Sequence, residues 1–133
     1  MQREDLRIET GTRALTDVTA EVRAFCRAKG DGLVHVFVPH ATAGVALIEV
    51  GSGTEDDLVA ALDRLLPRDQ RYRQRHGSPG HGADHVVPAF VAPSLSLPVE
   101  GGQVLLGTWQ SVVLVDTNVD NPVRTLRLSF LSG

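Results

Sequence analysis

Cysteine occurs once in these 133 residues, at Cys26, so no intrachain disulfide can form and a reducing compartment suits the chain. Aromatic side chains make up only 5% of the sequence, which leaves the core to Val, Leu and Ala. Positive charge is not in excess. Thirteen basic against sixteen acidic residues give a net charge of −3, which argues against nucleic acid as the main partner, because phosphate backbones select basic surfaces. No apolar run approaches the roughly 20 residues needed to span a bilayer. The N-terminus, MQREDLRIET, is charged from residue 3 and shows no secretory signal, so a cytoplasmic location is the expectation. GxSxG is absent, and the glycines near 51–53 and 101–107 fit neither a phosphate loop nor a dinucleotide fingerprint.

What remains is a chain sized for one domain, 1–133, with 42% hydrophobic residues. DLRIET (5–10) alternates as a first strand. Residues 16–30 have a helical stripe of Val18, Val22, Phe25 and Cys26, with Thr16 or Asp17 as N-cap and Gly30 as the stop. Strands follow at 32–39 and 43–50. TEDDLVAALDRLLP (54–67) predicts a second helix, capped by Thr54, with Leu58, Ala61, Leu62 and Leu65 buried. Asp84 can cap a short helix over 85–91, with Pro88 inside its first turn. The last forty residues predict strands at 94–99, 103–107, 110–116 and 123–131, turned by Gly101-Gly102 and Asp120-Asn121-Pro122. The expected fold is α+β: antiparallel, sandwich-like sheets with two main helices and one short one. A parallel α/β arrangement fails because no helices separate the C-terminal strands.

Candidate chemistry gathers on loops and strand ends. His40 opens HATAG directly after Pro39, where a rigid scaffold can aim a side chain. Glu49 shares the Val45 and Leu47 face of its strand, so it either needs a partner there or points outward near the strand end. YRQRHGSPGHGADH (72–85) holds His76, His81 and His85, three of the five histidines. The spacing of His81 and His85 places both on one face if that turn is helical, and a third imidazole would complete a three-nitrogen metal site. His35, mid-strand among valines, reads as a core or interface residue, and Trp109 as a core anchor. Twelve of the thirteen basic residues are arginines, and Arg68, Arg71, Arg73 and Arg75 precede the His-rich loop. They form either a solvated face or an anion funnel of guanidinium forks.

HATAG with Glu49, then Tyr72 through His85, then the stretch ending in GTWQ together resemble the YjbQ family, also called secondary thiamine-phosphate synthase. The resemblance runs from about residue 5 to the end. It implies a small α+β protein with sandwiched antiparallel sheets, assembled as a homotrimer, that weakly joins a hydroxymethylpyrimidine diphosphate to a thiazole phosphate. By resemblance, His40 matches the first residue of the family's His-Thr-Ser-Ala, and Glu49 the Glu of its Asn-Glu pair, with Ile48 in place of the Asn. His85 matches the His that opens the short helix, Asp116 replaces a Glu after GTWQ, and Arg124 falls on a C-terminal Arg. Gln74 stands where the family's Tyr-x-His has its His, so His81, or else His76, would have to supply that nitrogen.

Together these features make His40, Glu49 and His85 the expected catalytic residues, in a pocket between subunits. Thr42 and the Arg68–Arg75 stretch, Arg75 included, would hold phosphate, with His76, Asp84, Thr108, Gln110 and Arg124 completing the ligand-binding set. A divalent metal such as zinc, on His40, His81 and His85, is the cofactor this set implies. The expected function is an enzyme acting on a phosphorylated small molecule. The competing one is a trimeric protein that binds a metal or anion without catalysis.

Overall fold

The computed structural model describes residues 1–74, 77 and 80–133. Among these, eight strands and three helices follow in order. They are β1 (Gln2–Glu9), β2 (Leu15–Asp17), α1 (Thr19–Cys26), β3 (Gly32–Phe37), β4 (Ala43–Ile48), α2 (Thr54–Leu65) and α3 (His81–Asp84). After a 3-10 turn at Val87–Ala89 come β5 (Ser94–Glu100), β6 (Gln103–Val104), β7 (Ser111–Asp116) and β8 (Val123–Ser132). All strand pairs are antiparallel. They form a five-stranded sheet in the order β1-β8-β3-β5-β6 and a three-stranded sheet in the order β2-β7-β4. The α+β class with antiparallel sheets is therefore the one observed.

The apolar run of β7, SVVLVD, explains how the layers stack. Val112 and Leu114 point into a cluster shared with Val34, Val36, Leu126, Leu128 and the buried face of α1. Val113 and Val115 point the other way, against Leu62 and Leu66 around α2 and against Ala83 of α3. A short continuous apolar run is what a strand covered on both faces requires. By contrast β8 alternates, with Leu126, Leu128 and Phe130 inward.

Several boundaries differ from the sequence pattern. The first helix is shorter than residues 16–30, because Leu15–Asp17 pair with Val113–Val115 as β2. Val18 holds the N-cap position, and Asp17 Oδ1 still accepts the Thr19 N–H at 2.9 Å and the Thr19 hydroxyl at 2.6 Å. The helix ends at Cys26 with Arg27 as C-cap, and Ala28, with φ of 69°, turns left-handed two residues before the expected stop at Gly30, itself at φ 82°. At α2 the N-cap is Gly53 rather than Thr54, while the Glu55 carboxylate reaches back to the Gly51 N–H at 3.0 Å. Its buried side is Leu62 and Leu66 with Leu58 packed beside them, so Ala61 and Leu65 face solvent. The short helix lies four residues earlier than expected, launched by Gly80 at φ 81°, and Asp84 is its last residue, not its cap. Pro88 falls in the 3-10 turn, where its missing N–H costs nothing. GTWQ forms a turn, and Trp109 is 74% exposed rather than a core anchor.

The two-sided burial of β7 predicts unequal costs for two leucines. Leu114→Ala, at a side chain 1% exposed, should cost about 2–5 kcal/mol in urea unfolding. Leu65→Ala, at a side chain 54% exposed, should cost no more than about 1 kcal/mol, which checks the corrected face of α2.

Candidate functional site

Strand β3 leaves β8 after the pair Phe37↔Arg127, and the Val38 N–H turns instead to the Pro93 carbonyl at 2.9 Å. His40 takes over where the ladder stops: its Nε2 accepts the Thr125 N–H of β8 at 2.9 Å. A ring nitrogen that accepts carries no hydrogen, so the proton of the neutral imidazole sits on Nδ1. Burial first, then the positive charge of Arg124, holds His40 below its ordinary imidazole pKa, against an opposing pull from Asp116.

Around this ring lies a buried ionic network. Asp116, at the end of β7, accepts from Arg124 Nε at 2.6 Å through Oδ2. Its Oδ1 accepts the Thr42 hydroxyl and the Asn118 N–H, each at 2.9 Å. Arg124 Nη2 donates to Thr42 Oγ1 at 3.1 Å, and Arg124 Nη1 lies 3.4 Å from His40 Nδ1. Thr42, Asp116 and Arg124 are all less than a tenth exposed. An ion pair so buried survives only with its remaining hydrogen bonds satisfied, and here they largely are.

A second cluster begins one residue further along. Thr117 donates its hydroxyl to Asp84 Oδ1 at 2.6 Å, and its carbonyl accepts from Arg68 Nη2 at 2.7 Å. Arg68 also forms a two-pronged ion pair with the buried Asp84 carboxylate. His81 Nδ1 lies 3.3 Å from Asp84 Oδ2 and 3.7 Å from Asp120 Oδ2. Its Nε2 is 2.8 Å from Nε2 of His85. Asp116 has the same strand parity as Val112 and Leu114, and Thr117 that of Val113 and Val115. The two clusters therefore sit on either face of the β7 end. Gly44 of HATAG lets β4 pack against the segment just beyond the 3-10 turn, since a Cβ there would overlap the carbonyl oxygen of Val91.

Other expected site residues lie at the opposite end of the sheet. β4 runs from Ala43, opposite Asp116, to Ile48, opposite Ser111. Five steps of strand span about 17 Å. Glu49 is thus remote from His40 within one chain, and it makes no hydrogen bond or ion pair among the described residues. Thr108 and Gln110 share that end in the exposed GTWQ turn, which Gln110 Oε1 closes by accepting the Gly107 N–H at 2.8 Å. They lie on a turn, not on an alternating strand. Two of the four funnel arginines are committed to carboxylates, Arg68 to Asp84 and Arg71 to Asp69. Arg75 and His76 lie outside the described residues.

The three-nitrogen arrangement is not formed. Among the described residues no group of three or more His, Cys, Asp or Glu is placed to hold a metal ion. His40 spends Nε2 on a backbone amide, while His81 and His85 turn theirs toward each other. Gln74 leaves its buried Oε1 without a hydrogen-bond partner among the described residues. The sequence points to Asp116 only through the resemblance, to Asp120 only as a turn residue, and gives no site role to Thr117 or Asn118. The one local sign was DTNVDN (116–121), a polar run directly after an apolar strand.

A family model described as UPF0047 protein YjbQ-like matches residues 4–133. The chain belongs to the UPF0047, YjbQ-like family. UPF0047 protein Rv2556c of Mycobacterium tuberculosis is 64% identical over 133 residues, covering 100% of both chains. The crystal structure of hypothetical protein APE1520 from Aeropyrum pernix K1 matches at a TM-score of 0.88 and 29% identity, with 100% of each chain covered. A YbjQ-like protein of unknown function from Sulfolobus solfataricus P2 matches at a TM-score of 0.90, covering 99% of this chain and 97% of that one. At 21% identity that likeness concerns the fold alone. Among the described residues of this UPF0047 chain, no helix is long and apolar enough to cross a membrane.

Protonating His40 would break its bond from Thr125 and set a cation against Arg124. Its folded pKa is depressed, so below the ordinary imidazole value the unfolded chain binds a proton that the folded chain resists. Stability from this group is complete above about pH 6.5 and is lost as the pH falls toward the lower folded value. Thermal melts from pH 7 to pH 5 should therefore fall more steeply for the wild type than for His40→Gln.

Proposed function

We propose that this UPF0047 protein is an enzyme acting on a phosphorylated small molecule, with His40, Thr42, Asp116 and Arg124 as its anion-recognising centre. One observation carries the reading. His40 Nδ1–H and Arg124 Nη1–H are both donors, they lie 3.4 Å apart, and neither can accept from the other. A phosphate oxygen would satisfy both. The guanidinium is already aimed by Asp116 and Thr42, so binding would cost little reorganisation. A bound dianion would also draw the His40 pKa back up, which suits an imidazole that must pass a proton during turnover.

Glu49, Thr108 and Gln110 enter this reading through a second copy of the chain. Residues at the two ends of β4 and β7 meet if copies contact head to tail, and a head-to-tail contact that closes makes a ring. A homotrimer with its pocket between subunits fits that requirement, and sedimentation equilibrium giving only a 14.3 kDa species at micromolar concentration would overturn it.

The reaction to test first joins a hydroxymethylpyrimidine diphosphate to a thiazole phosphate. Purified protein, stripped of metal and restored, should form thiamine phosphate in proportion to enzyme. His40→Gln should lower the rate about 100-fold or more, the usual contribution of a general acid or base. Background rates throughout, alongside retained phosphate binding that is lost in Arg124→Met, would favour the non-catalytic anion-binding protein instead.

A further inference from the structure

β1 is the long outer edge of the five-stranded sheet. It pairs with β8 along its whole length, from Gln2↔Phe130 to Glu9↔Val123, and no other strand lies beside it among the described residues. Thr10 continues the register by donating its N–H to the Pro122 carbonyl at 2.9 Å, on the β8 side. Main-chain groups along a strand point to alternate sides, so those of Gln2, Glu4, Leu6 and Ile8 also serve β8. The N–H and C=O groups of Arg3, Asp5, Arg7 and Glu9 are left on the open edge.

The side chains of the same four residues lie exposed on the outer face, because Leu6 and Ile8 turn toward the core. Charges on a sheet edge commonly repel any other strand. Here they alternate in sign, and reversing the strand about Leu6 sets each charge opposite its complement. A second copy laid antiparallel, Leu6 against Leu6, brings Arg3 opposite Glu9 and Asp5 opposite Arg7, twice each. Centred on Asp5 instead, Asp5 meets Asp5 and Arg3 meets Arg7. Centred on Arg7, Arg7 meets itself and Asp5 meets Glu9. Registers in between oppose an edge-facing main chain to one that faces β8. Like charges directly opposite are destabilising, so the charges select the Leu6-centred register.

The remaining contacts suit that register. Leu6 is half-buried and lines a cleft with Ala24 and Phe25 of α1. On the axis it would face its counterpart in a non-hydrogen-bonded pair, where opposed side chains come closest. Asp5 accepts from Arg127 at 2.9 and 3.1 Å, and would then stand between two guanidinium groups.

We infer that β1 is a self-pairing edge, through which two copies of this chain join antiparallel about Leu6 into one continuous sheet. Each charged pair would also exchange two main-chain hydrogen bonds. The contact is isologous, and it shares no residue with the head-to-tail contact between the ends of β4 and β7. Where both form, two rings of three pair into six chains.

Sedimentation equilibrium of the full chain at micromolar concentration and low salt should give an even number of chains, two or six. Single chains alone, or three alone, overturn the inference. Two alone support it and speak against the ring, so the two contacts are read separately. Amide exchange identifies the surface: the Asp5 and Arg7 N–H groups should slow on assembly, relative to a dilute, dissociated sample. Fast exchange there in an even-numbered assembly overturns the inference. Arg3→Glu creates two like-charge pairs across the axis and should weaken the two-fold contact about tenfold or more. Arg3→Glu/Glu9→Arg reverses each pair and should restore it. Both positions are exposed, so neither substitution disturbs the core. Association unchanged in Arg3→Glu, or not regained in the double variant, also overturns the inference.

Discussion

Arg124 reaches from β8 of the five-stranded sheet to Asp116 at the end of β7 in the three-stranded sheet, and much of the site depends on that contact. The carboxylate also fixes Thr42 in the loop before β4 and the Asn118 amide beyond the strand end. One ion pair thereby ties together both sheets and two loops. Buried pairs are weak evidence for stability, because apolar residues of similar volume often do as well, whereas removing one partner costs about 3–5 kcal/mol. A chain that keeps such a pair beside a histidine with depressed pKa is spending stability on an arrangement of charge. That is the pattern expected of a functional site.

The fold was legible where the pattern was local. Alternation in DLRIET, the β-branched and aromatic residues of β3 and the acidic first turn of α2 are properties of a few consecutive residues, and they marked those elements, although β1 begins at Gln2 rather than at Asp5. Errors arose where a distant partner decided the outcome. Thr16 and Asp17 look like the start of a helix until β7 offers them, with Leu15, a ladder. Ala28 takes the left-handed backbone at the helix end, two residues before Gly30, which is left-handed as well and at lower cost. Trp109 looks like core by residue type, but a turn closed by Gln110 holds it in solvent.

The candidate site divided in the same way. His40 stands out as a residue type at a strand end, Thr42 as a hydroxyl beside it and Arg124 only through the resemblance, and the structure gathers the three. The sequence could not show that the His40 ring occupies a gap in a β-ladder, because the gap exists only where β3 parts from β8. Nor could it show that Glu49 and the GTWQ turn lie a strand's length away, a consequence of the β4–β7 register. His81 and His85 were correctly paired by spacing. What their pairing does depends on an N–N distance and on a carboxylate from the same short helix, and neither is written in the spacing.

Asp116 and Thr117 are successive residues, yet each anchors a different ionic cluster on a different face of the same strand end. A single rigid peptide plane joins them. A backbone change at this strand end would therefore displace the anchor points of both clusters, whichever face it was made on.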